Sequence, residues 1–447
     1  MLFEGEYLKL KRNGKGKEYN DNGKLVFEGE YLNGKRNGKG KEYNDNGILE
    51  YEGEYLNGKR NGEGKEYYIN DKLKFKGEYL NGLKWNGKGY SKEGKIEFEI
   101  KEGNGKVKEY YEDGKLKFEG DYLNGEKNGK GKEYYDDGKL IFEGEYLNGK
   151  RWNGKGYNKE GEIDFEIKEG NGIVKEYYED GKLKYEGEYL NGERNGKGNE
   201  YNFYGKLIYK GEYLNGKRNG LGQEYDNNGK LDFTGEYLNG KRNGKGRECF
   251  KNKELNYEGE CLNEKKNGKG KEFPFRNFKK KVYRDKPFSA LCHELLNPNI
   301  KYGFREGYNN QIEFEGEYLN GKRNGKGREY FEDGFLKYRG DYLYGERNGK
   351  GIEFNIYGEL KYEGEYLNGK RNGKGKKYKY GKLTYEGEFL NGERNGKGKE
   401  YNYDGKLEYE GEFLNGERNG KGKEYNKDGI LEYEGEYLNG KRKENKF

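Results

Sequence analysis

Residues 27–43 read FEGEYLNGKRNGKGKEY, and residues 409–425 read YEGEFLNGERNGKGKEY. Within this stretch Leu25, Phe27, Gly29 and Tyr31 alternate with Glu28 and Glu30, the period-two pattern of a half-buried strand. Asn33 to Gly38 reads as a six-residue loop, with Gly and Asn where positive φ is needed. Lys39 to Tyr43 is the return strand, and Asp45-Asn46-Gly47 is a tight turn into the next unit. The unit is a β-hairpin.

Working outward, the unit recurs along the chain. The position after the Gly-Glu or Gly-Asp pair returns sixteen times from Tyr7 to Tyr437, aromatic in all but Cys261, mostly every 24 residues, with two intervals of 43 and one of 57. Gly29 and its equivalents do not vary, which marks places where a side chain would obstruct the backbone or something packed on it. An aromatic lying over a neighbour's bare Gly explains why both recur. The expected fold is all-β: an elongated, single-layer antiparallel meander of stacked β-hairpin repeats.

Composition agrees with this reading and closes off others. Of 447 residues, 30% are apolar, more than half of those are aromatic, and 80 are Gly. A large aliphatic core is excluded, since a globular domain carries roughly 45–50% apolar residues. Net charge is only +7, and no apolar run approaches the length of a membrane helix. The start has no basic leader and no long apolar stretch, and three Cys do not make a disulfide framework. A cytoplasmic protein is expected.

YEGEYLNGKRNGKG resembles the core of the MORN repeat family, Tyr-x-Gly-x-aromatic-x-x-Gly followed by Gly-x-Gly. The KEYYEDGKL linkers resemble the bacterial MORN-variant repeat. The resemblance covers nearly all the chain except about 272–312. It departs from the family in having Tyr where the second aromatic is usually Trp. It also has Asn37, Asn61 and Asn219 where a loop His is common, so no role of that His carries over. The resemblance implies a scaffold at cytoskeletal or membrane-associated structures.

The organisation expected is ten copies with two short extra hairpins over 1–271, a divergent insertion over 272–312, and six copies over 313–447, the last truncated. The extra hairpins follow Trp85 and Trp152 and read as a duplicated block rather than a ligand site. The insertion holds all three Pro, the only His and the only Ala. Residues 289–296 fit a short helix, and the segment is expected to interrupt the ladder and to be cut first by trypsin, between Lys279 and Arg305.

Catalytic inventory is thin: one His, two Ser, two Thr and three Cys. No catalytic, cofactor or metal residue is assigned. Cys292 beside His293 points in a different direction on a helix, and Cys249 and Cys261 stand where other copies have Tyr. Gly29 to Lys35 matches GxxxxGK, but Arg36 follows where Ser or Thr should hold magnesium. The candidate interaction face is the aromatic row Tyr31, Tyr55, Tyr146, Tyr213, Tyr237, Tyr318 and Tyr366, whose exposure would call for a protein partner, a second copy or a membrane. The second reading is an anionic-lipid edge of Lys-Arg loops: Lys35-Arg36, Lys59-Arg60, Lys150-Arg151, Lys217-Arg218, Lys241-Arg242, Lys322-Arg323, Lys370-Arg371 and Lys441-Arg442. Nucleic acid and small-molecule substrates are not expected as partners.

Overall fold

The structure is a computed structural model, and it describes residues 2–249, 255–274 and 312–443. The expected helix at 289–296, the Cys292–His293 pair and the tryptic region lie outside these residues. Every regular element among the described residues is a β-strand, and within each sheet the strands pair antiparallel in sequence order. The chain forms two compact units, residues 1–220 with 227–229 and residues 221–226 with 230–447.

One repeat explains the rest. Strand Leu25–Leu32 pairs with Lys35–Tyr43 in the register Phe27 to Glu42 and Gly29 to Gly40, and Leu32 lies directly opposite Lys35. The connection is therefore a two-residue turn at Asn33-Gly34, not the six-residue loop expected from the sequence. Both turn residues have positive φ, 51° and 86°, as in a type I′ turn, whose twist matches that of the flanking strands. The remaining expected loop residues belong to the return strand, which bulges between the Gly29 and Tyr31 pairs. At the bulge Gly38 has φ 93°, and a side chain there would strike the Glu30 carboxylate. That carboxylate position caps the bulge: Glu412 and Asp341 each accept the backbone N–H of the following Lys421 and Lys350, both at 3.2 Å.

Aromatic rings make the core. The Phe27 ring lies across the Gly29–Gly40 pair, so a Cβ on Gly40 would fall 2.5 Å from its Cζ. Phe27 meets Tyr31 and Tyr55 edge to face, with centroids 5.6 and 5.3 Å apart, and Tyr51 meets Tyr55 and Tyr79 likewise. Each such pair contributes roughly 0.5–1.5 kcal/mol beyond its buried area. The bare glycine pair is what lets a ring lie flat on the backbone.

In the first unit the meander divides into sheets at the two 43-residue intervals. Ile96–Ile100 ends one sheet and Gly105–Tyr110 begins the next, joined by a tight bridge between Lys101 and Asn104; Ile163–Ile167 and Gly172–Tyr177 repeat this. The core continues past the first corner through buried Phe98, Ile100 and Val107. In the second unit the ladder runs through the 57-residue interval: Lys265–Glu272 pairs directly with Phe314–Leu319, Gly270 opposite Gly316. The expected interruption of the ladder is therefore absent, because Glu272 and Glu313 bring the two ends together, Glu313 donating its N–H to the Glu272 carbonyl at 2.9 Å.

Candidate interaction faces

Alternation sorts each repeat onto two faces. Tyr31 lies opposite Arg36, and Phe27 opposite Glu42, so in this repeat the ring face also carries one cation and one carboxylate. The Arg36 guanidinium sits over the Phe27 ring at 3.9 Å, and Arg60 and Arg347 sit over Tyr51 and Tyr338 at 4.1 Å. Several cations bridge carboxylates of successive repeats: Arg36 holds Glu18 at 2.6 Å and Glu42 at 2.7 Å, and Arg418 holds Glu400 at 2.6 Å and Glu424 at 3.1 Å. Lys84, Lys127 and Lys266 substitute for Arg in three repeats. The result is an arginine–glutamate zipper laid over the rings.

The zipper sets its own electrostatics. Burial alone would raise the Glu66 carboxyl, but Lys84 and Arg60 hold it down at about 2. Glu133, between Arg151 and Lys127, and Glu353, beside Lys361 and Arg371, stand at about 2 by the same balance. Several ring-face tyrosines join in, Tyr342 donating to Glu329 at 2.6 Å, Tyr237 to Glu224 at 3.0 Å and Tyr366 to Glu353 at 3.2 Å.

The sequence-derived candidates fall into place accordingly. Tyr31, Tyr55, Tyr146, Tyr213, Tyr237, Tyr318 and Tyr366 are each no more than 4% exposed. The aromatic row is covered by its own rings and by the zipper, so it presents little surface. The Lys-Arg pairs separate: Lys35, Lys59, Lys217, Lys241, Lys322, Lys370 and Lys441 are exposed at the rim, and Lys150 is half-buried. Arg36, Arg60, Arg151, Arg218, Arg242, Arg323 and Arg371 turn inward onto the rings, and Arg442 is exposed at the end of the ladder. Cys261, in the Tyr row, is buried, and burial pushes its thiol up to about 11. Asn37, at the position where the family often has His, accepts the N–H of Asn57 at 3.2 Å and so ties its strand to the next turn.

The opposite face is charged. Glu28 pairs with Lys41 across the strands, and the Tyr43 hydroxyl donates to Glu28 at 2.7 Å. In the second unit these rows line a groove of about 1840 Å³ between Glu258 and Lys421, with glycines such as Gly364 and Gly375 along its floor and Lys374, Glu388 and Lys397 on its sides. A smaller groove of about 780 Å³ runs from Glu4 to Lys76 in the first unit. Among the described residues no cluster of His, Cys, Asp and Glu is placed to hold a metal ion, and no helix is long and apolar enough to cross a membrane.

A stack of β-hairpins that seals its aromatic face with its own ion pairs and leaves a charged groove on the other is a β-repeat array. The chain belongs to the MORN repeat family. The MORN repeat model matches eleven segments between residues 27 and 443, and the MORN repeat variant model matches 12–33, 104–124, 127–148 and 171–191; together they cover more than half the chain. No curated protein matches the chain. Among solved structures, that titled "Crystal Structure of TcdB2-TccC3-Cdc42" is 10% identical over 93% of this chain and 26% of its own, with a TM-score of 0.16. That titled "Crystal Structure of TcdB2-TccC3" is 9% identical over 92% of this chain and 24% of its own, also at 0.16. The chain thus spans about a quarter of these structures, and scores so low carry no inference about fold or function.

Proposed function

We propose that the protein is a non-enzymatic scaffold that binds protein partners along its charged groove. The observation that carries this reading is the division of labour between faces. The rings are consumed in holding the repeats together, while the rows of Glu and Lys flanking a glycine floor remain solvated and open. Alternating charge at the repeat spacing offers an extended partner complementary ion pairs and backbone contact at the glycines, where no side chain blocks approach. The test is affinity capture from the native cell with the wild-type chain and with a Lys374→Glu, Lys397→Glu, Lys421→Glu variant. Specific partners should be retained by the first and lost by the second. Identical captured sets would remove the groove from the function.

The rim lysines favour a second reading, contact with anionic phospholipid. These lysines are exposed and recur at the repeat spacing, which suits contact with headgroups. Co-sedimentation with phosphatidylserine vesicles should then fall sharply between low salt and 0.5 M salt. It should be abolished by Lys→Ser changes at positions 35, 59, 322 and 370. No binding at low salt would eliminate this reading.

A further inference from the structure

Among the described residues one repeat carries a cation in the zipper's carboxylate place; at the two 43-residue intervals that place is a glycine, Gly89 opposite Phe75 and Gly156 opposite Phe142. In the repeat that begins at Tyr362, the position opposite that tyrosine holds Lys377, where the adjoining repeats carry Glu353 and Glu400. Lys377 is exposed and makes no ion pair among the described residues. On its two sides stand Arg371, which holds Glu353 alone at 2.6 Å, and Arg394, which reaches Glu400. Other repeats can supply a second acid from the neighbouring strand, as Asp232 does for Arg242 at 2.7 Å. Here that position is Thr384, whose hydroxyl donates to the Lys377 carbonyl.

Three further features accompany the missing carboxylate. Arg394 has swung off its ring: it stands 5.5 Å from Tyr385, against 4.5 Å for Arg371 over Tyr362, and donates to the Gly416 carbonyl. The hairpin end is shortened to a two-residue turn at Tyr380-Gly381, which sets Lys379 directly opposite Lys382. Phe389, like Phe413 in the next repeat, replaces the tyrosine whose hydroxyl in some repeats, as at Tyr366, bonds the zipper's carboxylate. Partial desolvation pulls the Lys377 ammonium below the ordinary lysine value, and Arg371, Arg394, Lys361 and Lys379 add to that pull. Lys377 and Lys379, which make no ion pair among the described residues, thus stand near Arg371, Arg394 and Lys361, whose carboxylates are Glu353 and Glu400.

We propose that this gap binds an acidic peptide, one of whose Glu or Asp carboxylates takes the place that the zipper's glutamate fills in the flanking repeats. The occupant is a carboxylate because Arg371 and Arg394 already hold the carboxylates Glu353 and Glu400 on either side, and Arg–carboxylate pairing is geometrically specific. No hydroxyl assists it, so the contact is purely ionic and sensitive to salt. This inference rests on the protein-scaffold reading and adds a partner chemistry on the face opposite the groove.

The test uses the full chain and a fluorescein-labelled peptide alternating Gly and Glu, followed by anisotropy at 50 mM salt. Wild type should bind, and the Gln counterpart of the peptide should not. Lys377→Glu closes the zipper internally and should weaken binding at least tenfold. Lys370→Glu, the same charge change on the rim two strand positions before Asn372, should leave it within about twofold. Lys377→Gln should give an intermediate loss, and circular dichroism on each variant verifies the fold. Equal weakening by Lys377→Glu and Lys370→Glu, or no peptide binding by wild type, would overturn the proposal. So would binding of inorganic phosphate or phosphatidylserine vesicles through Lys377 without binding of the peptide. Groove-dependent capture of partners is measured separately, so loss of the peptide alone leaves the scaffold reading standing.

Discussion

At the scale of residues, two neighbours in one turn have opposite fates. Lys59 ends at the rim in solvent, while Arg60 lies over Tyr51 and holds Glu42 and Glu66. Arg60→Ala leaves Glu42 with Arg36 alone and Glu66 with Lys84 alone, and should cost roughly 1–3 kcal/mol locally. Lys59→Ala should change stability by less than about 0.5 kcal/mol. Hydrogen exchange of the adjoining strands measures both, and equal effects would show that the zipper contributes nothing. Gly40→Ala places a methyl 2.5 Å from the Phe27 Cζ, which forces the ring off the backbone. A loss of about 1–3 kcal/mol is expected, read as faster exchange in Leu25–Leu32 and Lys35–Tyr43.

At the scale of elements, the zipper and the tyrosine rows make stability depend on pH at both ends. Glu66, Glu133 and Glu353 have folded values near 2, below their ordinary range near 4.3. Their contribution is complete above that range and is lost as pH falls from about 4.5 toward 2. Melting temperature should therefore be flat between pH 7 and 5 and drop steeply below 4.5. On the alkaline side, burial first, then Glu28, pushes Tyr43 up to about 12, and burial does the same for Tyr51. Raised values mean stability that is intact below pH 10 and disappears as pH climbs through about 12. Tyrosinate absorbance should lag behind that of free tyrosine between pH 10 and 12 and then rise together with unfolding. A tyrosinate curve centred at pH 10 would show that the rows are open to water.

At the scale of the whole molecule, the informative place is the junction across the 57-residue interval. Because Gly270 pairs with Gly316 and Arg323 holds Glu272 at 2.7 Å, the second unit has the same nearest-neighbour interface there as elsewhere. In a repeat array such interfaces set the coupling between copies. Replacing residues 275–311 with a four-residue Asn-Asp-Gly-Lys turn should therefore leave far-UV circular dichroism unchanged and shift the melting temperature by no more than a few degrees. A split into two separate transitions would show that the coupling depends on the excised segment.

The repeat, its all-β character and the ring-over-glycine core were legible in FEGEYLNG and GKGKEY, because a period of two and a bare glycine opposite another leave a ring few other places to lie. The exposed aromatic row was misjudged for a physical reason that lies in the turn. Counting Asn33 to Gly38 as a loop leaves Arg36 directionless. Pairing Leu32 with Lys35 puts Arg36 on a strand, and alternation then turns it onto the rings beside Glu42. The recurrence of Arg and Glu six residues apart was in the sequence, but only register decides that they share a face. The same holds for Lys377: as one lysine among many it says nothing, and it becomes a gap only once cross-strand pairing sets it between Arg371 and Arg394. Local pattern determined the hairpin, whereas which charges are spent inside the fold and which remain for a partner was decided by the pairing of strands far apart in the chain.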